Sequence, residues 1–209
     1  MNAYALDESG RCAACRQELA GFDAAYCFGS YERPLQHLIQ LFKYGKVESL
    51  AAPLSQMLIE ALPLEERFDA VVAMPMHWRK RWERGFNQAE LLAHPVARHL
   101  GLKPATNLRR CRHTEAQAGL SDSERQRNLK DAFEVRAAEQ LAGKRILLID
   151  DVFTTGATLR AAAKALKSAG AAHVSALTLA RVDRRASNLD FAPGVSRPLL
   201  AATSVTEAS

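Results

Sequence analysis

The stretch ILLIDDVFTTGATL, residues Ile146 to Leu159, decides how this chain folds. Its first four residues, Ile146 to Ile149, are all aliphatic, which is typical of a strand buried on both faces in a parallel sheet covered by helices. Asp150 and Asp151 follow at the predicted carboxyl end of that strand. Because ligands of open α/β sheets bind at this edge, the two carboxylates are placed for a ligand rather than for packing.

A hydroxyl-rich glycine loop follows the acids, formed by Thr154, Thr155, Gly156, Ala157 and Thr158. The glycine lets the backbone approach an anion, and the peptide N–H groups of the next helix join the threonine hydroxyls as donors. Carboxylates beside this loop would repel a bare phosphate. A ribose 5-phosphate avoids the conflict, because its hydroxyls can meet the acids directly or through Mg²⁺ while its phosphate meets the loop.

Other interpretations of this segment fit it less well. The nucleotide-triphosphatase loop requires Gly-Lys-Ser/Thr, and the dinucleotide fold requires GxGxxG at the start of a helix; neither pattern follows a plausible strand in this chain. The remaining alternative is structural, with the acids capping the next helix and the threonines forming an ordinary turn.

The segment resembles the 5-phosphoribosyl 1-diphosphate (PRPP) signature of type I phosphoribosyltransferases, in which hydrophobic residues and two acids precede Thr-Thr-Gly-x-Thr. Much of residues 12 to 182 is similar to the ComF family of competence-associated and GntX-like proteins. The similar stretches are YERPLQHLIQLFKYGK (Tyr31 to Lys46), KRWERGFNQAELLA (Lys80 to Ala93) and TEAQAGLSDSERQRNLKDAF (Thr114 to Phe133). The resemblance implies an α/β, parallel-sheet type I phosphoribosyltransferase-like fold and a link to DNA uptake or utilisation.

A second candidate region, Met74 to Gln88, follows a predicted strand and is rich in basic residues. The resemblance places Arg79 and Lys80 at the diphosphate of PRPP. Three aromatic residues of the region recur every four positions, and we interpret them as the apolar face of a helix packed in the core: Trp78, Trp82 and Phe86. Stacking of these rings on single-stranded nucleic acid is the alternative.

The third candidate region, Arg109 to Asn128, has no strong apolar period and lies between two predicted short strands. In the superfamily that the chain resembles, a flexible loop at this position closes over PRPP and excludes water from the reaction. The candidate ligand contacts in this loop are Arg109, Arg112, Thr114, Gln117, Arg125 and Asn128.

The composition predicts one globular domain with short appendages. The chain has 209 residues, of which 48% are hydrophobic and 24% charged, and its net charge of +5 permits anionic ligands without selecting among them. No apolar run approaches the roughly 20 residues of a membrane helix, and the first residues lack a secretory pattern. We therefore expect a cytoplasmic protein that does not insert into membranes.

The domain boundaries follow from composition and cysteine spacing. Cys12 and Cys15 form a CAAC pair, half of the four ligands that a structural zinc site needs. ComF relatives commonly carry an N-terminal zinc ribbon with two such pairs, so we interpret residues 1–22 as a partial zinc-ribbon remnant, empty by preference, with bound Zn²⁺ as the alternative. Residues 23–183 are the predicted phosphoribosyltransferase-like domain, and 184–209 a disordered tail.

Strands and helices are predicted to alternate, which favours a parallel sheet with right-handed crossovers. The predicted strands besides Ile146 to Ile149 are Asp23 to Tyr31, Asp69 to Met74, Ala105 to Leu108, Asp131 to Val135 and His173 to Ala180. Helices are predicted from Arg33 onward, over Leu50 to Leu62, over Asn87 to Leu100 before a capping Gly101, and over Thr158 to Ala169.

The expected function is binding of PRPP or a related ribose 5-phosphate nucleotide together with Mg²⁺. The resemblance implies catalysis of phosphoribosyl transfer, with Asp150 and Asp151 as the catalytic residues, although no segment marks a pocket for the acceptor. The alternative is a non-catalytic protein that binds a nucleotide, single-stranded DNA or competence proteins during DNA uptake or recombination.

Overall fold

The structure is a computed structural model that describes residues 21–111 and 132–182. Its strands are β1 (Ala24–Ser30), β2 (Ala70–Ala73), β3 (Pro104–Ala105), β4 (Leu108–Arg110), β5 (Phe133–Val135), β6 (Arg145–Phe153) and β7 (His173–Arg181). Its α-helices are α1 (Leu35–Tyr44), α2 (Ala51–Glu60), α3 (Trp78–Arg84), α4 (Gln88–His99) and α5 (Ala157–Ser168). Short 3-10 turns span Glu48–Leu50 and Ala138–Gln140.

Five strands form a parallel sheet in the order β1-β7-β6-β2-β3. β6 lies at the centre, where Ile146 pairs with Ala70 of β2 on one side and with Val174 of β7 on the other. The parallel α/β architecture predicted from the aliphatic run is therefore confirmed.

Alternate residues of β6 face two different cores, because successive side chains of a strand point to opposite faces. Ile146 and Leu148 belong to a core that also contains Leu159 and Leu166 of α5. Leu147 and Ile149 belong to a second core, which contains buried residues of α1, α2 and α4 such as Phe42, Leu58 and Leu92. The four consecutive aliphatic residues of β6, Ile146 to Ile149, are fully buried, so helices cover both faces of the sheet.

One predicted strand is wrong. The stretch Ala105 to Leu108 is divided between β3, which pairs with β2 in the parallel sheet, and β4, which pairs antiparallel with β5. The chain leaves the main sheet at residues 106–107, where Asn107 donates its side-chain amide to the carbonyl of Arg136 at 2.9 Å. The two-stranded β4–β5 unit adds Leu108 and Phe133 to the core on the α5 side.

Helix boundaries agree with the prediction to within two residues where a boundary was predicted, and Gly101 has the left-handed φ of +70° expected after α4.

Phe22, the last residue of the predicted remnant, packs edge-on against Phe153 with ring centroids 6.1 Å apart. Cys12, Cys15 and the predicted tail lie outside the described residues. Within the two described ranges, no helix has the length and apolar character needed to cross a bilayer.

Candidate functional site

The candidate site is a cavity where β2 ends and β6 continues. β2 ends at Ala73, which pairs with Ile149, whereas β6 remains paired with β7 from Asp150 to Phe153. Within residues 21–111 and 132–182, Asp150 and Asp151 therefore have no strand neighbour on the β2 side. The cavity holds about 200 Å³, enough for a small organic ligand rather than a single water. Its lining comprises Lys43, Met74, Pro75, Met76, Lys80, Arg84, Asn87, Gln88, Ala89, Arg110, Asp150, Asp151, Val152, Thr154, Gly156, Thr158 and Leu159.

The two carboxylates have different surroundings. Asp151 forms an ion pair with Lys43 of α1, with 2.8 Å between Nζ and Oδ1 and side chains only 16% and 14% exposed. Asp150 accepts a hydrogen bond from the backbone N–H of Asp151 at 2.9 Å. Burial, and then the negative charge of Asp151, raise the pKa of Asp150 to about 7, although Lys43 and Arg110 oppose this rise. The site thus holds one ion-paired carboxylate and one that ionises near neutral pH.

The glycine loop forms a tight turn between β6 and α5. Gly156 adopts a left-handed φ of +72°, and a Cβ there would lie 2.7 Å from the Phe153 ring. The Thr155 hydroxyl accepts a hydrogen bond from the N–H of Ala157 at 3.3 Å, which shapes the turn into α5. Thr154, Gly156 and Thr158 line the cavity, whereas Thr155 and Ala157 form the turn behind it.

Four cationic side chains line the cavity together with the two carboxylates: Lys43, Lys80, Arg84 and Arg110. Burial lowers the pKa of Lys80, and the positive charges of Arg110, Arg84 and Lys43 lower it further, against the opposing effect of Glu83. Burial also lowers the pKa of Arg110, while the charge of Asp150 opposes that change. A polyanionic ligand would relieve the mutual repulsion of these cations.

The segment from His77 to Asn87 contains α3 and leads into α4, and a capping side chain holds the start of each helix. His77 caps α3 by accepting a hydrogen bond from the N–H of Arg79 at 3.3 Å. Gly85, with a φ of +88°, ends α3. Asn87 then caps α4 through the N–H of Ala89 and donates to the carbonyl of Met74 just beyond β2, both at 3.1 Å. Lys80 and Arg84 are thereby held against the end of β2.

The predicted core packing of the tryptophans is wrong. Trp78 and Trp82 are 66% and 87% exposed, and only Phe86 is buried. The four-residue period does not describe one helix face, because α3 ends before Gly85 and Phe86 belongs to the following connection. Phe86 packs against Phe42 of α1, with ring centroids 5.7 Å apart.

The predicted diphosphate contacts occupy different places. Lys80 lines the cavity, whereas Arg79 does not, and its guanidinium lies 5.3 Å from the ring centroid of Trp78. Arg84, one helical turn after Lys80, lines the cavity instead of Arg79.

The loop candidates are described only at their start. Arg109 is exposed on β4 and pairs in register with Glu134, whereas its neighbour Arg110 faces the cavity. Sequence reasoning missed Arg110, although alternation along a strand indicates that only one of two adjacent arginines can face a given side. The other loop candidates, Arg112, Thr114, Gln117, Arg125 and Asn128, lie outside the described residues.

The described residues contain no group of three or more side chains arranged to hold a metal ion. Cys27 and Cys111 are both exposed and are not in disulfides. The empty zinc-ribbon remnant stays a prediction, with zinc binding through Cys12 and Cys15 as its alternative, because both residues precede the described part of the chain.

Comparisons with known proteins agree with this architecture. Residues 87–194 match the family described as phosphoribosyl transferase domain. The chain is 33% identical to competence protein F of Haemophilus influenzae, over 81% of this chain and 78% of that protein. It is also 33% identical to the DNA utilization protein YhgH of Escherichia coli K12, over 81% of this chain and 77% of that protein. Competence protein ComFC of Bacillus subtilis is 37% identical over 53% of this chain and 44% of that protein.

Among solved structures, the chain is similar to the glutamine PRPP amidotransferase of B. subtilis complexed with ADP and GMP. The TM-score is 0.45 and the identity 22%, over 63% of this chain and 26% of that one. The UMP synthase of Leishmania donovani gives a TM-score of 0.38 with 21% identity, over 69% of this chain and 24% of that one. The chain thus spans about a quarter of the length of these two enzymes.

Proposed function

This chain belongs to the ComF family of proteins with a phosphoribosyl transferase domain, and on that premise we propose that its cavity binds PRPP. The observation that carries the proposal is the charge layout of the cavity. The lining combines the glycine loop that follows β6, the two carboxylates within β6, and cations from α1, α3 and β4. PRPP has the matching sequence of groups: a phosphate, a ribose with adjacent hydroxyls, and a diphosphate.

The 5-phosphate is assigned to the glycine loop. Thr154 and Thr158 offer hydroxyl donors, and Gly156, which also lines the cavity, has no side chain to keep a phosphate from the backbone. The first turn of α5 adds N–H groups and the positive end of the helix dipole, which favour an anion. Thr155 and Ala157 support this site by fixing the turn.

The ribose hydroxyls are assigned to Asp150 and Asp151. Hydroxyls donate to carboxylates without the repulsion that a phosphate would meet there. Lys43 fixes the orientation of Asp151 through their ion pair and offsets one negative charge, so the acids can lie close to an anionic ligand.

Mg²⁺ fits this site as an ion that is bound mainly by the ligand. The carboxylate oxygens of Asp150 and Asp151 are the hard donors that Mg²⁺ prefers, and Mg²⁺ commonly binds one or two carboxylates together with substrate phosphates. When bound, it would neutralise part of the diphosphate charge. The absence of a third ligating side chain among the described residues is compatible with this arrangement.

Transfer of the phosphoribosyl group would follow from the same geometry. The bond from the anomeric carbon to the diphosphate oxygen breaks, that oxygen leaves with the electron pair, and an acceptor nucleophile bonds to the carbon. Lys80, Arg84 and Arg110 would stabilise the departing diphosphate, and the carboxylates would favour positive charge at the anomeric carbon. The predicted contact of Arg79 with the diphosphate stays a prediction, because its guanidinium lies over the Trp78 ring and not in the cavity lining.

The decisive experiment is PRPP binding by calorimetry, with and without Mg²⁺, for the natural chain and for Asp150→Asn and Asp151→Asn. We expect binding by the natural chain and a loss of at least about tenfold in each variant, since each removes a charged hydrogen-bond acceptor. Glu139→Gln, an exposed carboxylate outside the cavity, is the matched control and should bind normally. Failure of the natural chain to bind PRPP contradicts the proposal.

Turnover separates an enzyme from a binding protein. Release of diphosphate from PRPP, measured against a panel of bases and amines, would identify the acceptor class. PRPP binding that depends on Asp150 and Asp151 without turnover on any acceptor would favour a protein that binds the ligand without transferring it.

A second candidate function, binding of single-stranded DNA, is favoured by the exposed indoles of α3. Trp78 and Trp82 lie one helical turn apart, and the basic side chain of Arg79 belongs to the same helix, whereas Arg81 is ion-paired with Glu90 at 2.8 Å. Exposed aromatic rings among cations are suited to stacking on bases while the cations meet the phosphates. The name of YhgH, a DNA utilization protein, is compatible with this function.

Titration of a fluorescent oligonucleotide tests this surface. We expect Trp78→Ala and Trp82→Ala each to weaken binding by roughly 5- to 150-fold, which corresponds to about 1–3 kcal/mol per stacked base. Leu64→Ala is the control, because Leu64 is fully exposed and lies outside α3. Affinity that is unchanged in both tryptophan variants excludes α3 as the DNA-binding surface.

A further inference from the structure

Gln88 is a buried amide whose nitrogen has no protein partner. It is the first residue of α4, lines the cavity and is only 1% exposed. Its Oε1 accepts a hydrogen bond from Nη1 of Arg84 at 3.3 Å. Its Nε2 has no hydrogen-bond partner in the described part of the chain.

The orientation of this amide is fixed by Arg84. A guanidinium only donates hydrogen bonds, so the amide oxygen must face Arg84 and the nitrogen must face the other way. The backbone of Gln88 is also held firmly, because Asn87 caps α4 and is bonded to Met74. The unsatisfied donor is therefore a stable feature of the site, although an unpaired buried donor costs folding free energy.

We propose that Gln88 contacts the ligand, its Nε2 donating a hydrogen bond to an oxygen at the diphosphate end of PRPP. This inference rests on the proposed function and adds a ligand-contacting residue to it. Arg84, to which this amide is bonded, lines the cavity and is one of the cations assigned to the diphosphate. A neutral donor suits this position, because it contacts an oxygen without adding to the repulsion among Lys80, Arg84 and Arg110.

The test compares Gln88→Met and Gln88→Glu with the natural chain, using PRPP and ribose 5-phosphate as ligands in calorimetry. Met has nearly the same length but no donor. For Gln88→Met we expect PRPP affinity to fall by about ten- to a hundredfold, the effect of losing a hydrogen bond to a charged group, and ribose 5-phosphate affinity to change less than twofold. Gln88→Glu keeps an acceptor for Arg84 but repels the diphosphate, so its PRPP affinity should fall further.

Thermal unfolding without ligand provides an independent measurement. Gln88→Met removes a buried unsatisfied donor, which favours folding, and also the acceptor of Arg84, which opposes it, so we expect its Tm to change by less than about 2 °C. A residue that only supports the structure would lose stability and affinity together, whereas Gln88→Met should lose affinity without a matching loss of stability. Gln56→Met, an exposed position on α2, is the matched control and should change neither quantity.

Two outcomes overturn this inference without overturning the proposed function: unchanged PRPP affinity in Gln88→Met, or an equal loss of affinity for PRPP and ribose 5-phosphate. If Gln88→Met does not fold, the same comparison of the two ligands in Gln88→Glu decides. Failure of the natural chain to bind PRPP overturns the proposed function and this inference with it, so the two failures are distinguishable.

Discussion

Among single residues, Asp150 and Asp151 show how adjacent identical side chains acquire different properties. Asp151 has the ammonium of Lys43 at 2.8 Å. Asp150 lacks such a close ion pair among the described contacts, and burial together with the charge of its neighbour raises its pKa to about 7. Ionising Asp150 therefore lowers the free energy of unfolding. Perturbed pKa values of this kind are common among residues of functional sites.

This difference predicts the stability of Asp150→Asn. The folded-state pKa of Asp150, about 7, lies above its ordinary value of 3.8, so stability is fully present below pH 3.8 and is lost as the pH rises through 7. An asparagine cannot ionise, so the variant should unfold at a higher temperature than the natural chain at pH 8. We expect a difference of about 2 °C or more, measured by calorimetry without ligand.

The difference in Tm between Asp150→Asn and the natural chain should narrow as the pH falls from 8 towards 4. Asp151→Asn is the matched comparison and should lower the Tm at pH 8, because it leaves Lys43 half-buried without its carboxylate. A lower Tm for Asp150→Asn than for the natural chain at pH 8 would refute the expectation.

Between elements, a cluster at the amino ends of the strands, opposite the cavity, joins β1, α5 and β7. Asp23, immediately before β1, accepts a hydrogen bond from the N–H of Val174 at 2.7 Å and from Lys167 at 2.6 Å. Its other neighbour is His173, with 3.6 Å between Nδ1 and Oδ2. Burial raises the pKa of Asp23, but the hydrogen bonds from Lys167 and Val174 and the charge of His173 outweigh it, and the net pKa is lowered.

Asp23→Asn should therefore destabilise the protein in a pH-dependent way. A lowered folded-state pKa contributes stability above the ordinary value of 3.8, and this stability is lost as the pH falls through the folded-state pKa. We expect the variant to lose about 1 kcal/mol at pH 7, or roughly 2–4 °C in Tm, because Asp23 is partly exposed and solvent screens its ion pair.

The loss should diminish below pH 4, where the natural carboxylate also becomes neutral. Lys167→Met separates the contributions, since it removes the ion pair but keeps the hydrogen bond to Val174. A Tm difference that is the same at pH 7 and pH 3 would show that the charge of Asp23 contributes nothing.

The elements also differ in how well their sequence predicts them. β6 was predictable because four successive aliphatic residues satisfy both faces of a sheet. The sequence predicts one strand where the structure has β3 and β4, because strands of two and three residues are too short to show a period. Their separation depends on contacts with β2 and β5. The aromatic period of Trp78 and Trp82 predicts core packing wrongly for another reason. Gly85 ends α3, so the helix face that carries these rings does not continue into the core.

In the molecule as a whole, the cavity is assembled from segments distant in sequence. Lys43 comes from α1, Lys80 and Arg84 from α3, Gln88 from α4 and Arg110 from β4. The parallel sheet places the end of β2 beside Ile149 of β6, and this edge brings the cations to the carboxylates that follow. The net charge of +5 does not indicate that these cationic side chains gather around one cavity.

The sequence by itself determined the parallel strand, the paired acids and the glycine loop. These features depend on local properties: the hydrophobicity of Ile146 to Ile149 and the freedom of Gly156 to adopt a positive φ. Only the tertiary structure decided which basic residues line the cavity, that Trp78 and Trp82 are exposed, and that the amide nitrogen of Gln88 lacks a partner among the described residues. Those properties depend on where helices end and how strands pair, since a side chain's surroundings come from segments remote from it along the chain.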